Sequence, residues 1–400
     1  MSSTSTLSSL DLLRELVAIP SVTRTPNADL IAHVQKLLHQ AGIDTVVVAD
    51  PQDLSRCNLY AGVGPKDIPG VMLSGHTDVV PVEGQPWTMP PFQATERDGR
   101  IYARGSADMK GFVACAVMAM IHAARKDLKR PLQLALSFDE EIGCVGVRHL
   151  LRELEHKLPA PILCLVGEPT LMKIGTGHKG KAAYIVRCCG QAGHSGLAPR
   201  FVNAIHTASD LIYAIRDVQQ ELAERGPREE GYDIPYTTIH VGTINGGKAL
   251  NIVPDQCETN FEIRNIIEDD PTKILTRVLE RTEARMRSWP CAPDNVPAVP
   301  QAELVNAYPG LSTARDSHAA RLLASLLPAD TAYTKVAFGT EGGLFQQSWN
   351  QTSVLVCGPG SIEVAHKADE YVEISQIEAC DHLLSRLVDH LCEQSNRLSG

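Results

Sequence analysis

The chain up to residue 169 alternates between amphipathic helical stretches and short apolar runs. Leucines spaced three residues apart from Leu7 to Leu16 give a helix over residues 7–19 one apolar face, and Pro20 ends that helix. The predicted helices of this part cover residues 7–19, 28–42, 111–124 and 145–156, and the predicted buried strands cover residues 45–49, 71–74, 132–138 and 162–166. Strands that alternate with helices predict an α/β fold, with a mixed, mostly parallel sheet flanked by helices.

This alternation stops near residue 180 and returns near residue 310. The intervening part predicts strands over 182–189, 237–244 and 259–266, helices over 202–224 and 272–287, and a proline-rich linker over 290–300. The α/β pattern then resumes with helices over 315–327 and 374–393 and strands over 331–336 and 353–356. We therefore predict one catalytic domain formed by residues 1–180 and 309–400. An α+β domain over residues 181–308 is inserted into it.

Composition and charge narrow the class of protein. Among 400 residues, 44% are hydrophobic and 21% charged, which is typical of a globular protein with a sizeable core. The net charge of -10 argues against a nucleic-acid partner. The 11 cysteines are scattered without a Cys-x-x-Cys pair, which favours reduced thiols. The chain lacks a secretory signal pattern and any apolar run near 18 residues, so we expect a cytoplasmic protein that does not contact membranes.

Residues that commonly bind metals lie at or just beyond the ends of the apolar runs. They are His76, Asp78, Asp108, Glu140, Glu141, Glu168 and His366. Open α/β sheets bind their ligands at the carboxyl ends of the strands. Two histidines with several carboxylates form a ligand set for a pair of divalent ions such as zinc. Each residue alone is also common in surface, capping or core roles. Their concurrence favours a metal-assisted hydrolase.

The spacing also suggests how these ligands are shared between two ions. Asp108 follows Gly105 in a turn and is the best candidate for the bridging carboxylate. A plausible partition places His76 and Glu168 on one ion, and Glu141 and His366 on the other.

Two further acids have predicted catalytic roles near these ligands. Asp78 stands two residues after His76, on the same face of a strand, so its carboxylate could orient the imidazole. Glu140 precedes the ligand Glu141 and is the predicted general base.

Longer segments around these residues resemble a known family. The runs Ser-Gly-His-Thr-Asp-Val-Val-Pro (74–81), Trp-Thr-Met-Pro-Pro-Phe (87–92) and Gly-Arg-Ile-Tyr-Ala-Arg-Gly-Ser-Ala-Asp-Met-Lys-Gly (99–111) resemble the co-catalytic zinc amidohydrolases. The likeness covers nearly the whole chain. It implies the same five metal ligands and Glu140 as base. For the two divalent ions, ligation by histidine and carboxylate favours zinc, and cobalt or manganese can occupy such sites. The likeness also implies that the inserted domain is a lid that mediates a homodimer.

The resemblance assigns roles to residues that local patterns leave open. His194, in Gly-His-Ser, matches a histidine that reaches the active site of the partner subunit and stabilises the oxyanion. Asn251 and Arg264 match substrate-binding positions, where Arg264 could grip a carboxylate with two hydrogen bonds. Thr340 and Glu341 lie in a loop that is expected to contact the substrate.

The expected substrate is a small N-acyl amino acid. Within the family, residues 106–111 and 358–371 resemble the members that act on N2-acetyl-L-ornithine. The implied reaction is hydrolysis to acetate and L-ornithine in arginine biosynthesis. The alternatives are N-succinyl-diaminopimelate, acetylcitrulline, another N-acyl amino acid or a dipeptide. A non-catalytic binding protein on the same fold is the rival from a different class. Such a protein would be expected to lack a ligand or the base.

Overall fold

The structure is a computed structural model that describes residues 7–287, 298–350 and 352–393. Its residues form two compact units. The first unit comprises Met1–Gly177, Leu311–Val336 and Thr340–Gly400, and the second comprises His178–Gly310 and Ala337–Gly339. The predicted linker over 290–300 lies outside the described residues as far as residue 297. Among the residues described, no helix is long and apolar enough to cross a membrane.

The described residues form the following regular elements. The helices are α1 (Ser9–Val17), α2 (Ala28–Gln40), α3 (Gly111–Ala123), α4 (Val147–Leu154), α5 (Ala204–Arg225), α6 (Pro271–Met286), α7 (His318–Leu326), α8 (Gly342–Ser348) and α9 (Ile374–Glu393). The strands are β1 (Thr45–Asp50), β2 (Asp53–Val63), β3 (Val71–His76), β4 (Thr95–Arg97), β5 (Arg100–Tyr102), β6 (Leu132–Ser137), β7 (Leu163–Pro169), β8 (Ile174–His178), β9 (Gly180–Cys189), β10 (Thr238–Gly246), β11 (Gln256–Asn265), β12 (Gln301–Tyr308), β13 (Leu311–Ser312), β14 (Tyr333–Val336), β15 (Ser353–Gly358) and β16 (Tyr371–Glu373).

The first unit is built on a mixed sheet with the strand order β1-β2-β6-β3-β7-β15-β8-β13. Its four central strands, β6, β3, β7 and β15, are parallel to one another. Antiparallel strands β1 and β2 extend the sheet on one side. Every residue of β3, β6 and β7 is buried, as expected for parallel strands covered on both faces. The predicted fold class is therefore confirmed.

Two local predictions for this sheet are wrong. The strand predicted as buried over 45–49 is β1, which lies at an edge of the sheet, and Val46 remains 45% exposed. The strand predicted to end before Glu168 continues through that residue to Pro169. β2 was not predicted, because its first half is polar and its side chains become buried only from Cys57 onwards.

Helix α3 packs on α1 and α9 in the core of this unit. Small side chains cover much of α3, which allows close packing on the sheet. The closest approach is at Gly167, where an added Cβ would lie 1.9 Å from Cγ of Phe112. Gly167 directly precedes Glu168, so this packing determines where that strand end lies.

We expect Gly167→Ala to lower the free energy of unfolding by at least about 2 kcal/mol, because the new methyl group overlaps the Phe112 ring. Urea unfolding followed by circular dichroism measures this change. Gly242→Ala is the matched control, since the nearest atom to its added Cβ is the Asn260 carbonyl oxygen at 3.8 Å. Equal stability of the two variants would contradict the close packing at Gly167.

The second unit has a four-stranded antiparallel sheet in the order β10-β11-β9-β12. Strands β9 and β11 alternate between buried and partly exposed side chains, so one face of the sheet forms a core. Helices α5 and α6 contact each other, and α5 packs on this sheet. The core includes Tyr184, Val186, Phe261 and Ile263.

Candidate functional site

His76 ends strand β3 and begins the first group of ligand-type side chains. Its Nε2 lies 3.0 Å from Oδ1 of Asp108 and 3.7 Å from Oε1 of Glu168. Its Nδ1 lies 2.9 Å from the carbonyl oxygen of Asp78. A proton on Nδ1 would satisfy that carbonyl and leave Nε2 directed at the two carboxylates. Burial opposes the charged imidazole, but hydrogen bonds with Asp108 and Asp78 raise the pKa of His76 well above its usual range.

Asp108 lies between two histidines and presents a different oxygen to each. Oδ1 faces His76, and Oδ2 lies 3.1 Å from Nε2 of His366. Burial opposes ionisation, but the two histidines together hold the pKa of the Asp108 carboxyl well below its usual range. A carboxylate with this arrangement can bridge two cations.

Glu141 and His366 complete a second group around Asp108. The His366 Nε2 lies 2.9 Å from Oε2 of Glu141. Hydrogen bonds with Asp108 and Glu141 raise the pKa of His366 to about 10. Burial, reinforced by Asp108, raises the pKa of Glu141 to about 7. The His366 side chain is half exposed, whereas Asp108 is buried and the Glu141 side chain is 7% exposed.

The two groups therefore share Asp108. One consists of His76, Asp108 and Glu168, and the other of Asp108, Glu141 and His366, with the potential ligand atoms of each group within 4.8 Å of one another. Burial, followed by the charge of Asp108, raises the pKa of Glu168 well above its usual range. Buried acids this close together are costly unless cations lie among them. The donor set thus fits a pair of divalent metal ions.

The carboxylate of Asp78 contacts two backbone groups and also lies near the imidazole of His76. Its Oδ1 accepts from the backbone N–H of Glu140 at 3.0 Å, and its Oδ2 accepts from the N–H of Glu141 at 3.2 Å. The distance from Oδ1 to Nδ1 of His76 is 3.6 Å, longer than the contact made by the Asp78 carbonyl. The Asp78 carboxylate is also among the groups that raise the pKa of His76, and it holds the segment that follows β6 through the two backbone contacts. That this carboxylate orients His76 stays a prediction.

Glu140 is buried beside the second group. Its Oε1 accepts from the Cys144 thiol at 3.2 Å. Burial is the largest effect that raises the pKa of Glu140 well above its usual range, and the neighbouring acids Glu141, Glu341 and Asp78 add to it. A carboxyl group with a raised pKa is suited to take up and release a proton.

Thr340 and Glu341 are buried in the first unit, at the start of α8. The Glu341 carboxylate accepts hydrogen bonds from the Ser74 and Ser137 hydroxyls, and burial raises its pKa to about 7. Oγ1 of Thr340 accepts from the Gly342 N–H at 2.9 Å. Glu341 is only 1% exposed, and its predicted contact with the substrate stays a prediction.

The remaining predicted residues lie in the second unit. His194 and Asn251 are exposed on adjacent segments, where the Ser195 N–H donates to the Asn251 carbonyl at 3.1 Å. The Arg264 guanidinium donates to both carboxylate oxygens of Glu262, at 2.9 and 3.2 Å, and to the Tyr308 hydroxyl. Arg264 therefore already forms the two-point carboxylate contact that was predicted for a substrate.

One buried ion pair near Asp108 was missed. Arg104 and Glu370 are each 1% exposed, and Nη1 of Arg104 lies 2.7 Å from Oε2 of Glu370. Both residues fall in segments that resemble the family. A contact between positions 266 residues apart leaves no local signal in the sequence.

His178 is a buried histidine in the second unit, with a pKa that burial lowers to about 4. Its Nδ1 lies 3.0 Å from the Lys179 carbonyl oxygen, and its Nε2 has no partner among the described residues. Below pH 6.5 the unfolded chain takes up a proton that the folded chain excludes. Stability is thus lost as the pH falls from 6.5 towards 4.

We expect His178→Asn to remove this pH dependence, because the amide can still donate to Lys179 but does not titrate. Between pH 7.5 and 5 the wild type should lose roughly 2 kcal/mol more than the variant. Urea unfolding at both pH values measures the difference. Identical losses in the two proteins would show that His178 is not the group responsible.

Comparisons with known proteins extend over most of the chain. The model of peptidase family M20/M25/M40 matches residues 72–390. An acetylornithine deacetylase from Photorhabdus laumondii subsp. laumondii is 32% identical over 398 residues, covering 97% of this chain and 98% of that protein.

Solved structures show the same fold at lower identity. The M20 family metallo-carboxypeptidase Sso-CP2 from Sulfolobus solfataricus superposes with a TM-score of 0.76 at 19% identity, covering 97% of this chain and 100% of that one. The Bacillus subtilis YXEP protein, described as a dinuclear metal-binding peptidase from the M20 family, has a TM-score of 0.69 at 14% identity. It covers 97% of this chain and 98% of its own.

Proposed function

Because the chain belongs to peptidase family M20/M25/M40, we propose that it hydrolyses the amide of N2-acetyl-L-ornithine to acetate and L-ornithine, a reaction of arginine biosynthesis. The main observation that supports a hydrolytic activity is the pair of ligand groups that share Asp108, with the buried Glu140 nearby. The acyl group and the side chain of the substrate are inferred from the relatives of similar length.

Five side chains would hold two divalent ions, for which we propose zinc, with cobalt able to replace it. His76 and Glu168 would bind one ion, Glu141 and His366 the other, and Asp108 both. When bound, such ions polarise an amide carbonyl and make a water molecule more acidic.

Glu140 would act as the general base and then as the general acid. It accepts a proton from the attacking water, whose oxygen forms the new bond to the acetyl carbon. It then returns that proton to the nitrogen as the C–N bond breaks, which releases the amine of ornithine. Asp78 holds the Glu140 backbone in place for both steps.

We propose that the second unit is a lid that also forms a homodimer, with His194 stabilising the oxyanion in the partner subunit's site. Exposed apolar side chains support such an interface, since Leu250 is fully exposed and Val305 is 57% exposed. Exposed His194 and Asn251 lie on adjacent segments, where both could contact one substrate. In this arrangement Arg264 would exchange Glu262 for the substrate carboxylate.

We propose a cytoplasmic location, supported by the ten free cysteines among the described residues. The overall charge of -10 also suits a substrate with a cationic side chain.

A substrate panel tests this function. Purified protein loaded with zinc or cobalt is assayed against N2-acetyl-L-ornithine, N-succinyl-LL-diaminopimelate, N-acetylcitrulline, N-acetylmethionine and a dipeptide. We expect the highest kcat/KM for N2-acetyl-L-ornithine. A higher value for another compound would reassign the substrate while retaining the reaction. A protein that binds no divalent metal and hydrolyses none of them would indicate a binding protein.

A further inference from the structure

The carboxylate of Glu370 holds the turn that carries Asp108. Its Oε1 accepts from the backbone N–H groups of Ala107 at 2.9 Å and Asp108 at 3.1 Å. Its Oε2 accepts from the Gly105 N–H at 3.0 Å and from Nη1 of Arg104 at 2.7 Å. This buried carboxylate therefore positions the backbone of the shared ligand by direct hydrogen bonds.

Arg104 extends the same network to the loop that carries His366. Its Nη2 donates to Oε1 of Gln85 at 2.5 Å, and its Nη1 lies 3.3 Å from the Lys367 carbonyl. The amide nitrogen of Gln85 donates to the His366 carbonyl at 2.9 Å. One chain of contacts thus joins the backbones of Asp108 and His366.

Trp87, the first residue of the motif at 87–92, contacts two members of this network. The Arg104 guanidinium lies 5.1 Å from the centre of the Trp87 ring, and the indole N–H donates to Oε1 of Gln85 at 3.1 Å. The Gln85 oxygen thereby receives two donors, so its amide nitrogen is directed at His366.

The two ligand groups differ in what supports them. His76 and Glu168 belong to strands β3 and β7 of the central sheet, where every residue is buried. His366 belongs to a loop, its side chain is 49% exposed, and its backbone has a φ of 61°. A ligand on such a loop needs other contacts to hold its position.

We propose that Gln85, Arg104 and Glu370 form a positioning network that sets the affinity of the metal position formed by Asp108, Glu141 and His366. The network does so by fixing the His366 loop relative to the Asp108 turn. In the other metal position, His76 and Glu168 lie on strands β3 and β7. Their placement does not depend on the contact between Gln85 and His366. This inference rests on the proposed two-metal centre.

Gln85→Glu tests the link to His366 directly. The new carboxylate still accepts from Arg104 and Trp87 but cannot donate to the His366 carbonyl. Calorimetric titration of the metal-free protein with cobalt, followed also by visible absorption, gives one dissociation constant for each ion. We expect one of the two positions to lose about 10- to 100-fold in affinity. The other position should change less than about twofold.

The matched control is Gln52→Glu, which makes the same chemical change at an exposed glutamine in the turn between β1 and β2. Arg104→Lys is a second test, because a single ammonium cannot contact Glu370, Gln85 and Lys367 as the guanidinium does. Circular dichroism confirms that each variant is folded. We expect Arg104→Lys to weaken the same position, and also the position formed by His76, Asp108 and Glu168, because Glu370 holds the shared Asp108.

The outcomes separate this inference from the function on which it rests. If the wild type binds two cobalt ions and Gln85→Glu binds both with unchanged affinity, the positioning network is overturned and the metal centre stands. Equal weakening of both positions in Gln85→Glu would also overturn it, because the effect would then be a general one. If the wild type binds one ion or none, the two-metal centre itself is overturned.

Discussion

Glu140→Gln is expected to lower kcat for N2-acetyl-L-ornithine by about 10²- to 10⁴-fold, which is the usual contribution of a positioned general acid or base. The amide has nearly the shape of the carboxyl group but cannot accept the proton from the attacking water. Glu140 is not one of the five proposed metal ligands, so metal content should be unchanged. Steady-state kinetics and metal analysis of the same preparation measure both quantities.

Glu230→Gln is the control for this substitution, because Glu230 is an exposed glutamate of the second unit. It should have wild-type kinetics and metal content. Full turnover by Glu140→Gln with both metals bound would exclude Glu140 as the base. Loss of a metal ion from that variant would instead place Glu140 among the ligands.

His194→Ala is expected to lower kcat by about 10²- to 10³-fold, as the loss of one oxyanion donor does in other hydrolases. Metal content and the circular dichroism spectrum should remain those of the wild type, because His194 is exposed and belongs to neither ligand group. His206→Ala, at another exposed histidine of the same unit, is the control. Unchanged turnover in His194→Ala would remove this residue from the mechanism.

Action of His194 across a dimer can be tested by mixing two inactive variants. A dimer of one Glu140→Gln subunit and one His194→Ala subunit contains one site with both an intact base and an intact histidine from the partner. Co-expression of the two variants should therefore restore up to about half of the wild-type activity per mixed dimer. If His194 acts within its own subunit, the mixed dimer stays inactive.

Much of the ligand set could be predicted from the sequence, because three members follow local rules. His76, Glu141 and Glu168 are at or near the ends of apolar runs that form parallel strands. Parallel strands bring their carboxyl ends to one edge of a sheet. The backbone contacts of the Asp78 carboxylate could not be predicted, because a residue at a strand end can bond equally well to a ring or to a neighbouring backbone.

The burial of Glu341 could not be predicted from the sequence. An acid that lies between a threonine and two glycines in a loop is usually exposed. The structure buries it against Ser74 and Ser137, which come from two different strands. Arg104 and Glu370 present the same difficulty, since a buried ion pair depends on two distant segments meeting. The exposed edge position of β1 depended likewise on which strands became its neighbours.

The sequence by itself determined the α/β class, the alternation that forms a parallel sheet, and the ligand-type residues near its strand ends, because these depend on periodicity and on strand polarity. Only the tertiary structure decided that Asp108 directs one oxygen to His76 and the other to His366. It alone decided that Glu370 and Gln85 hold the backbones of those ligands. These contacts join segments separated by up to 281 residues, and no local sequence pattern predicts a contact over that distance.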